Sequence, residues 1–402
     1  MPPSSVPSRR GLPGQGLPRD VIVLGVIAFC VAVGFGVLVP VLPIFARSFE
    51  VDNLMVGAVI SAFAFMRLVT SPWCARFNRW LGERTALGIG MFIVAASSAA
   101  AGLSQSFWQL LVMRGVGGIG SAMFTVAAMT LLLRAVTPEQ RGRASAFYSG
   151  GFLIGGMAGP AVGGLFAAIS ITAPFFFYAA TLMVAGVVGL TMLGRTHAGP
   201  LQDSRPVMEL SEALPDVRYR AALLTNFAQG WQSFGVRSSL VPVLVVESLH
   251  QQPSTTGVLF ATAAVVQTIS LGPSGRIVDT LGRRPVMVAA GLVTGAAALA
   301  MPWAGNVWLL GAVLCLYGLG SAMHSTAPTA VVGDVTGGRA GTPIAVFQMM
   351  SDVGAIIGPL AAGALADSGG MASAFTIGAV FLLAGAALSW SMPKETHREA
   401  TV

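Results

Sequence analysis

Charge is scarce in this chain. Asp, Glu, Lys and Arg make up 10 % of its 402 residues, where soluble domains carry about 25 %. That excludes an ordinary soluble domain. Cysteine is scarcer still: Cys30, Cys74 and Cys315 lie in or at the edge of apolar stretches and form no CxxC pair. They read as packing residues, with no disulfide framework or metal site implied. No HExxH, GxSxG or Walker pattern occurs, and neither a carboxylate cluster nor a metal-ligand set is visible. The expectation is a protein that is not an enzyme and needs no cofactor. The net charge of +7 is spread over short loops instead of one face, which argues against a nucleic-acid partner.

What is abundant is apolar. Hydrophobic residues reach 54 %, with 50 glycines and a mean hydropathy of +0.75. Apolar runs near or above the ~20 residues that cross a bilayer recur at 21–44, 54–75, 86–104, 107–133, 144–168, 173–194, 221–246, 256–278, 286–304, 307–331, 342–366 and 372–392. They predict twelve spans in an all-α polytopic membrane protein. Nineteen of the 23 Lys and Arg residues then fall on the side of both termini, and only Arg47 on the other. The positive-inside rule places both termini in the cytoplasm and the chain in a cell membrane. The expected domains are a tail at 1–20, a six-helix bundle at 21–194, a linker at 195–220, a second bundle at 221–392 and a tail at 393–402.

The two bundles are copies of each other. Residues 155–164 read GGMAGPAVGG and residues 354–363 read GAIIGPLAAG. Phe35-Gly36-Val37 matches Phe234-Gly235-Val236, Leu81-Gly82-Glu83-Arg84 matches Leu281-Gly282-Arg283-Arg284, and GIGSAM at 118–123 matches GLGSAM at 318–323. Pro costs about 3 kcal/mol in an ordinary helix interior, so a Gly-Pro pair recurring inside two apolar spans needs a reason. Parallel repeats of this kind occur in alternating-access transporters, with the substrate between the halves. Residues 115–120 also fit GxGxxG, but inside an apolar span they read as close packing by small residues.

Five ionisable side chains fall inside spans: Arg67, Arg114, Arg237, His324 and Asp352. Each is costly there and is a functional candidate. Asp352 is the only carboxylate near the middle of a span. It is a candidate proton carrier, with a static ion pair to Arg237 or another cation as the competing reading. His324 replaces Phe124 of the repeat and is either a proton relay or a hydrogen-bonded core histidine. Arg67 could snorkel toward the cytoplasmic surface, and Arg237 could attract an anionic or polar substrate group. With Phe35, Met123, Phe124, Trp231, Phe234 and Phe347, these two arginines are the candidate lining of a substrate cavity. Ordinary helix packing competes for every aromatic and Met residue.

These residues resemble the major facilitator superfamily over nearly the whole chain. The loop motif GxxxDRxGRRxxL of that family is matched by Gly275, Asp279, Gly282, Arg283 and Arg284. In the first half Gly82 and Arg84 remain, but Ala75, Arg79 and Glu83 depart from the pattern. The resemblance implies that the acidic position latches the cytoplasmic ends in the outward-facing state, a role plausible for Asp279. Arg114, Gly118 and Gly120 resemble the RxxxGxG motif, which links Arg114 to proton transfer. Gly155, Gly159, Pro160, Gly163 and Gly164 complete the GxxxGPxxGG motif that marks the twelve-helix drug:proton antiporters. The expectation is a monomer exporting small lipophilic molecules in exchange for protons. An importer or facilitator of a small metabolite with the same fold is the alternative.

Overall fold

The computed structural model describes residues 17–137, 140–194, 208–337 and 342–393, without the side chains of residues 75, 79, 141, 142 and 146. Residues 1–16 and 394–402 of the expected tails and residues 195–207 of the expected 195–220 linker therefore lie outside the described residues. The described chain is all helical: α1 (Arg19–Leu38), α2 (Leu42–Arg47), α3 (Asn53–Leu81), α4 (Glu83–Gly102), α5 (Phe107–Arg134), α6 (Arg141–Ile169), α7 (Ala173–Met192), α8 (Leu210–Ala213), α9 (Val217–Gly230), α10 (Ser238–Val243), α11 (Pro253–Leu281), α12 (Arg283–Ala300), α13 (Val307–Thr336) and α14 (Thr342–Trp390). In lipid a spanning segment must satisfy its own backbone. Ten of the described helices are long and apolar enough to do so.

Two details separate this count from twelve sequence runs. Gly370, at φ 79° and ψ 167°, breaks α14 into two arms. The path from α9 through α10 is helical throughout, but π-helical turns at Trp231–Arg237 and Leu244–Ser248 interrupt its regular winding. The helix of the seventh run also starts at Val217, inside the stretch expected to be linker.

The duplication is visible in the backbone. Ser106 caps α5 and Asn306 caps α13, each side chain accepting from the N–H three residues on. Gly82 and Gly282 join α3 to α4 and α11 to α12 at φ 80° and 89°, a left-handed conformation that glycine adopts without a steric penalty. In the first half α1 packs on α6 and α7, and α5 on α3 and α4; in the second, α9 packs on α13 and α14, and α13 on α11 and α12. Each half builds its own apolar core. Six of the seven tryptophans are exposed. Trp73, Trp80 and Trp390 lie toward the end where the chain starts and finishes, and Trp108, Trp303 and Trp308 toward the other. This is the distribution of an aromatic belt at two membrane interfaces.

The halves meet through α3 with α14 and α6 with α11. A Cβ on Gly57 would collide with the Pro359 carbonyl, and one on Gly257 would press on the Pro160 carbonyl and the Gly164 backbone. Gly57 and Gly257 are repeat mates, so one backbone-to-backbone contact is made twice. Nearby, the Asp367 carboxylate accepts from the N–H groups of Asn53 and Leu54 at the start of α3, and Ser61 donates to the Ile356 carbonyl at 2.6 Å. Arg47 donates to both oxygens of Glu247 at 2.7 and 3.0 Å, and this hydrogen bond raises the Arg47 pKa above its ordinary value. Arg47 and Glu247 stand 200 residues apart, so equivalent positions touch where the pseudo-two-fold axis passes between them. These polar contacts between the halves lie in the half of the molecule remote from the termini or at its middle. The molecule is sealed at that end.

Gly57→Val and Gly257→Val should each lower stability by about 1–3 kcal/mol through overpacking of this seam, read as a lower thermal unfolding midpoint in detergent. Gly156→Ala, where an added Cβ meets nothing, should leave the midpoint unchanged.

Candidate functional site

Below the seal a cavity of about 290 Å³ is lined by Arg67, Leu68 and Ser71 of α3, Ala122, Thr125 and Val126 of α5, and Asp352 of α14. Its polar centre is one ion pair between the halves: Arg67 Nη2 donates to Asp352 Oδ1 at 2.6 Å. The side chains are 36 % and 37 % exposed, so the pair is open to the cavity. Asp352 therefore pairs with Arg67 instead of Arg237, and Arg67 turns inward to this pair instead of snorkelling to the surface. The reason is tertiary. The Gly57–Pro359 contact brings α3 onto α14, and the two charged positions follow within hydrogen-bond reach.

The other ionisable candidates lie away from this pair. Arg114 is 5 % exposed, with its guanidinium 4.6 Å from the centre of the Phe63 ring. Arg237 sits in the first π-helical stretch, 5.4 Å from the ring centres of both Phe260 and Tyr317. The Nε of each is buried without a hydrogen-bond partner. His324 is buried, and its Nε2 shares a hydrogen bond with Thr294 Oγ1 at 3.0 Å.

The aromatic and Met candidates divide. Phe35 is partly buried, 6.1 Å from the Phe63 ring, and Phe234 is about half exposed. Phe124 is buried where α4 crosses α5, in the first-half core, and Phe347 is buried beneath Tyr219 in the second. Trp231 is buried against Phe227 and Phe381, and Met123 packs with Cys74 and Ala122. These four, candidates for the cavity lining, pack instead against neighbouring helices of their own half.

The Gly-Pro motif works on two faces of α6. Gly155, Gly159 and Gly163 meet the backbone of α1 at Phe29, Gly36 and Val37, while Gly164 meets Gly257 of the other half. Gly235 against Gly358 and Pro359 repeats the first contact in the second half. Gly57 and Gly257, the partners of these helices across the seam, carry no local motif. Their spacing of 200 residues was the only available signal.

A model of the Major Facilitator Superfamily matches residues 24–227 and 222–402. The chain belongs to this superfamily. Its similarity to named members is distant. It is 25 % identical over 353 residues to multidrug resistance protein 2 of Bacillus subtilis (strain 168), covering 84 % of this chain and 86 % of that one. It is 26 % identical over 334 residues to a synaptic vesicular amine transporter of Mus musculus, covering 81 % and 64 %. The fold matches a crystal structure of a bacterial homolog to the human lysosomal transporter Spinster, in an inward-facing and unoccupied conformation, at a TM-score of 0.75 and 15 % identity over 92 % and 95 % of the two chains. The chain is thus a transporter of the major facilitator superfamily, not an enzyme.

Asp279 is exposed, nothing stands within reach of a Cβ on Gly275 or Gly82, Arg84 is partly buried, and Arg284 lies over the Trp390 ring at 5.2 Å. The departure at Glu83 has a structural explanation. Arg134 Nη1 donates to Glu83 Oε1 at 2.7 Å, with side chains 16 % and 10 % exposed. In the second half Arg283 Nε donates to Asp334 Oδ2 at 2.9 Å. Both partners are repeat mates, so one bridge between adjacent helices is made twice with its charges exchanged. The charge at position 83 has therefore been exchanged together with that of its partner at position 134.

Removing one partner of a buried pair costs roughly 3 kcal/mol. Glu83→Arg should destabilise the protein by about that much, and adding Arg134→Glu should recover most of it. A double-mutant cycle on thermal or denaturant unfolding measures the recovery, and strictly additive losses would contradict the pairing.

Proposed function

We propose that this transporter is a proton-coupled exporter of small lipophilic compounds. It works as a monomer of twelve membrane helices in two six-helix bundles joined by a cytoplasmic linker, with both termini in the cytoplasm of a cell carrying it in its plasma or inner membrane. The two helical arms of α14 and the irregular helix from Val217 to Ser248 supply the spans beyond the regular ones. With this orientation the seal is extracellular, and the cavity opens inward.

The observation that carries the reading is the Arg67–Asp352 pair. It joins the two halves, and it lines the cavity in which a substrate would sit. Ionised Asp352 holds α3 to α14 through charge. A proton on Asp352 removes that charge and weakens the tie, so the geometry gives proton binding a direct hold on how the halves meet. Substrate and proton act on the same few atoms, which is what exchange of one for the other requires. Inward proton flow supplies about 1.4 kcal/mol per pH unit and about 2.3 kcal/mol per 100 mV. The complete Gly-Pro motif of α6 and the similarity to a multidrug resistance protein support the outward direction. Arg114 and His324 are secondary candidates for coupling, and Phe35 and Phe234 for contact with substrate.

In proteoliposomes under an imposed pH gradient, wild-type protein should move at least one of a panel of lipophilic fluorescent dyes. Asp352→Asn should reduce that movement more than tenfold while the protein remains folded. Undiminished gradient-driven transport by Asp352→Asn would refute the coupling role.

A further inference from the structure

The charges inside the membrane do not balance. Arg67 is matched by Asp352, but among the described residues no carboxylate pairs with Arg114 or Arg237. Among the described residues the other acids stand near the helix ends and in loops, several already engaged: Glu83 with Arg134, Asp334 with Arg283, Asp216 with Arg218, Glu247 with Arg47, and Asp367 on the start of α3. Aromatic faces attract Arg114 and Arg237, but a ring carries no net charge and leaves the guanidinium uncompensated. Buried charges without partners are costly. Two of them retained in the low-dielectric centre of one molecule give that region a positive potential.

Along their helices both arginines stand between the cavity and the sealed end. Arg114 lies about 12 Å from the cavity residue Ala122 along α5, at 1.5 Å per residue. Its stacking partner Phe63 is one turn before Arg67 on α3. Arg237 lies two residues beyond Gly235, whose backbone abuts Gly358 and Pro359, two turns past Asp352 on α14. One uncompensated guanidinium thus stands in each half on the sealed side of the Arg67–Asp352 pair. A guanidinium offers a planar fork of donors suited to a carboxylate, sulfonate or phosphate group. The apolar cavity residues Leu68, Ala122 and Val126 suit the rest of a lipophilic molecule.

We propose that the transported substrate is a lipophilic anion, whose charged group is received by Arg114 and Arg237. This rests on the reading of the chain as an exporter. An organic cation would add a third like charge to this region, whereas an anion supplies the missing counter-charge. Exchange of one exported monoanion for one imported proton moves two charges in the same electrical sense, so membrane potential as well as the pH gradient drives the cycle.

The test uses the purified full-length chain and three probes on one scaffold: 4-phenylbutane-1-sulfonate, 4-phenylbutyl-trimethylammonium and 4-phenylbutyramide. Dissociation constants are read from tryptophan fluorescence or thermal shift. The sulfonate should bind at least tenfold more tightly than either of the others. Arg114→Gln and Arg237→Gln should each reduce that preference at least fivefold. Equal or tighter binding of the ammonium probe, absence of sulfonate binding, or an unchanged preference in both folded variants overturns the proposal. Should a variant fail to fold, the wild-type preference decides by itself. Loss of the anion preference with the Asp352→Asn result intact removes only the substrate class; retained gradient-driven transport by Asp352→Asn with the preference intact removes only the coupling.

Discussion

Two helices from different halves touch backbone to backbone at Gly57 on Pro359, and two more at Gly257 on Pro160. Without side chains at those glycines, α3 reaches α14 and α11 reaches α6 at distances no Cβ would permit. The rest of the site follows from that approach. It closes one end of the molecule, sets the depth of the cavity, and brings Arg67 within 2.6 Å of Asp352. In lipid, apolar surface gives helices little reason to associate, so close contact through small residues is the available source of cohesion. The polar contacts at the sealed end, Arg47 with Glu247 and Asp367 with the start of α3, add direction to a seam that packing has already made.

The duplication organises the backbone more strictly than it organises the chemistry. The Ser106 and Asn306 caps, the Gly82 and Gly282 turns and the main interhelical contacts recur at corresponding places. The ionisable groups do not. Asp352 has no acidic counterpart in the first half, His324 stands where the first half has Phe124, and Arg237 where it has Leu38. The scaffold is symmetric between the halves, and the charge set upon it is not.

Much of this was legible in the sequence. Apolar run length marked the ten long apolar helices, matched Gly-Pro strings marked the repeat, and rarity alone marked the five ionisable side chains within apolar runs. The choice of partner for Asp352 was not legible, because Arg67 is 285 residues away and only the packing of α3 on α14 selects it over Arg237. Phe124 and Phe347 looked like cavity residues because composition says nothing about which side of a helix faces a neighbour. Glu83 looked like decay of a motif when its own string was compared with the consensus. Its meaning lay 51 residues away at Arg134, in a different helix.

That exchanged bridge carries a record of how the chain changed. A shared ancestral repeat would have placed one acid and one base at these two positions in both halves. Replacing either residue alone sets two like charges against each other in a poorly hydrated crevice between helices. Reversing one charge alone therefore costs stability, and reversing its partner as well restores the pair. For the same reason, a segment containing only one partner cannot be transplanted between the halves, whereas a segment carrying both can.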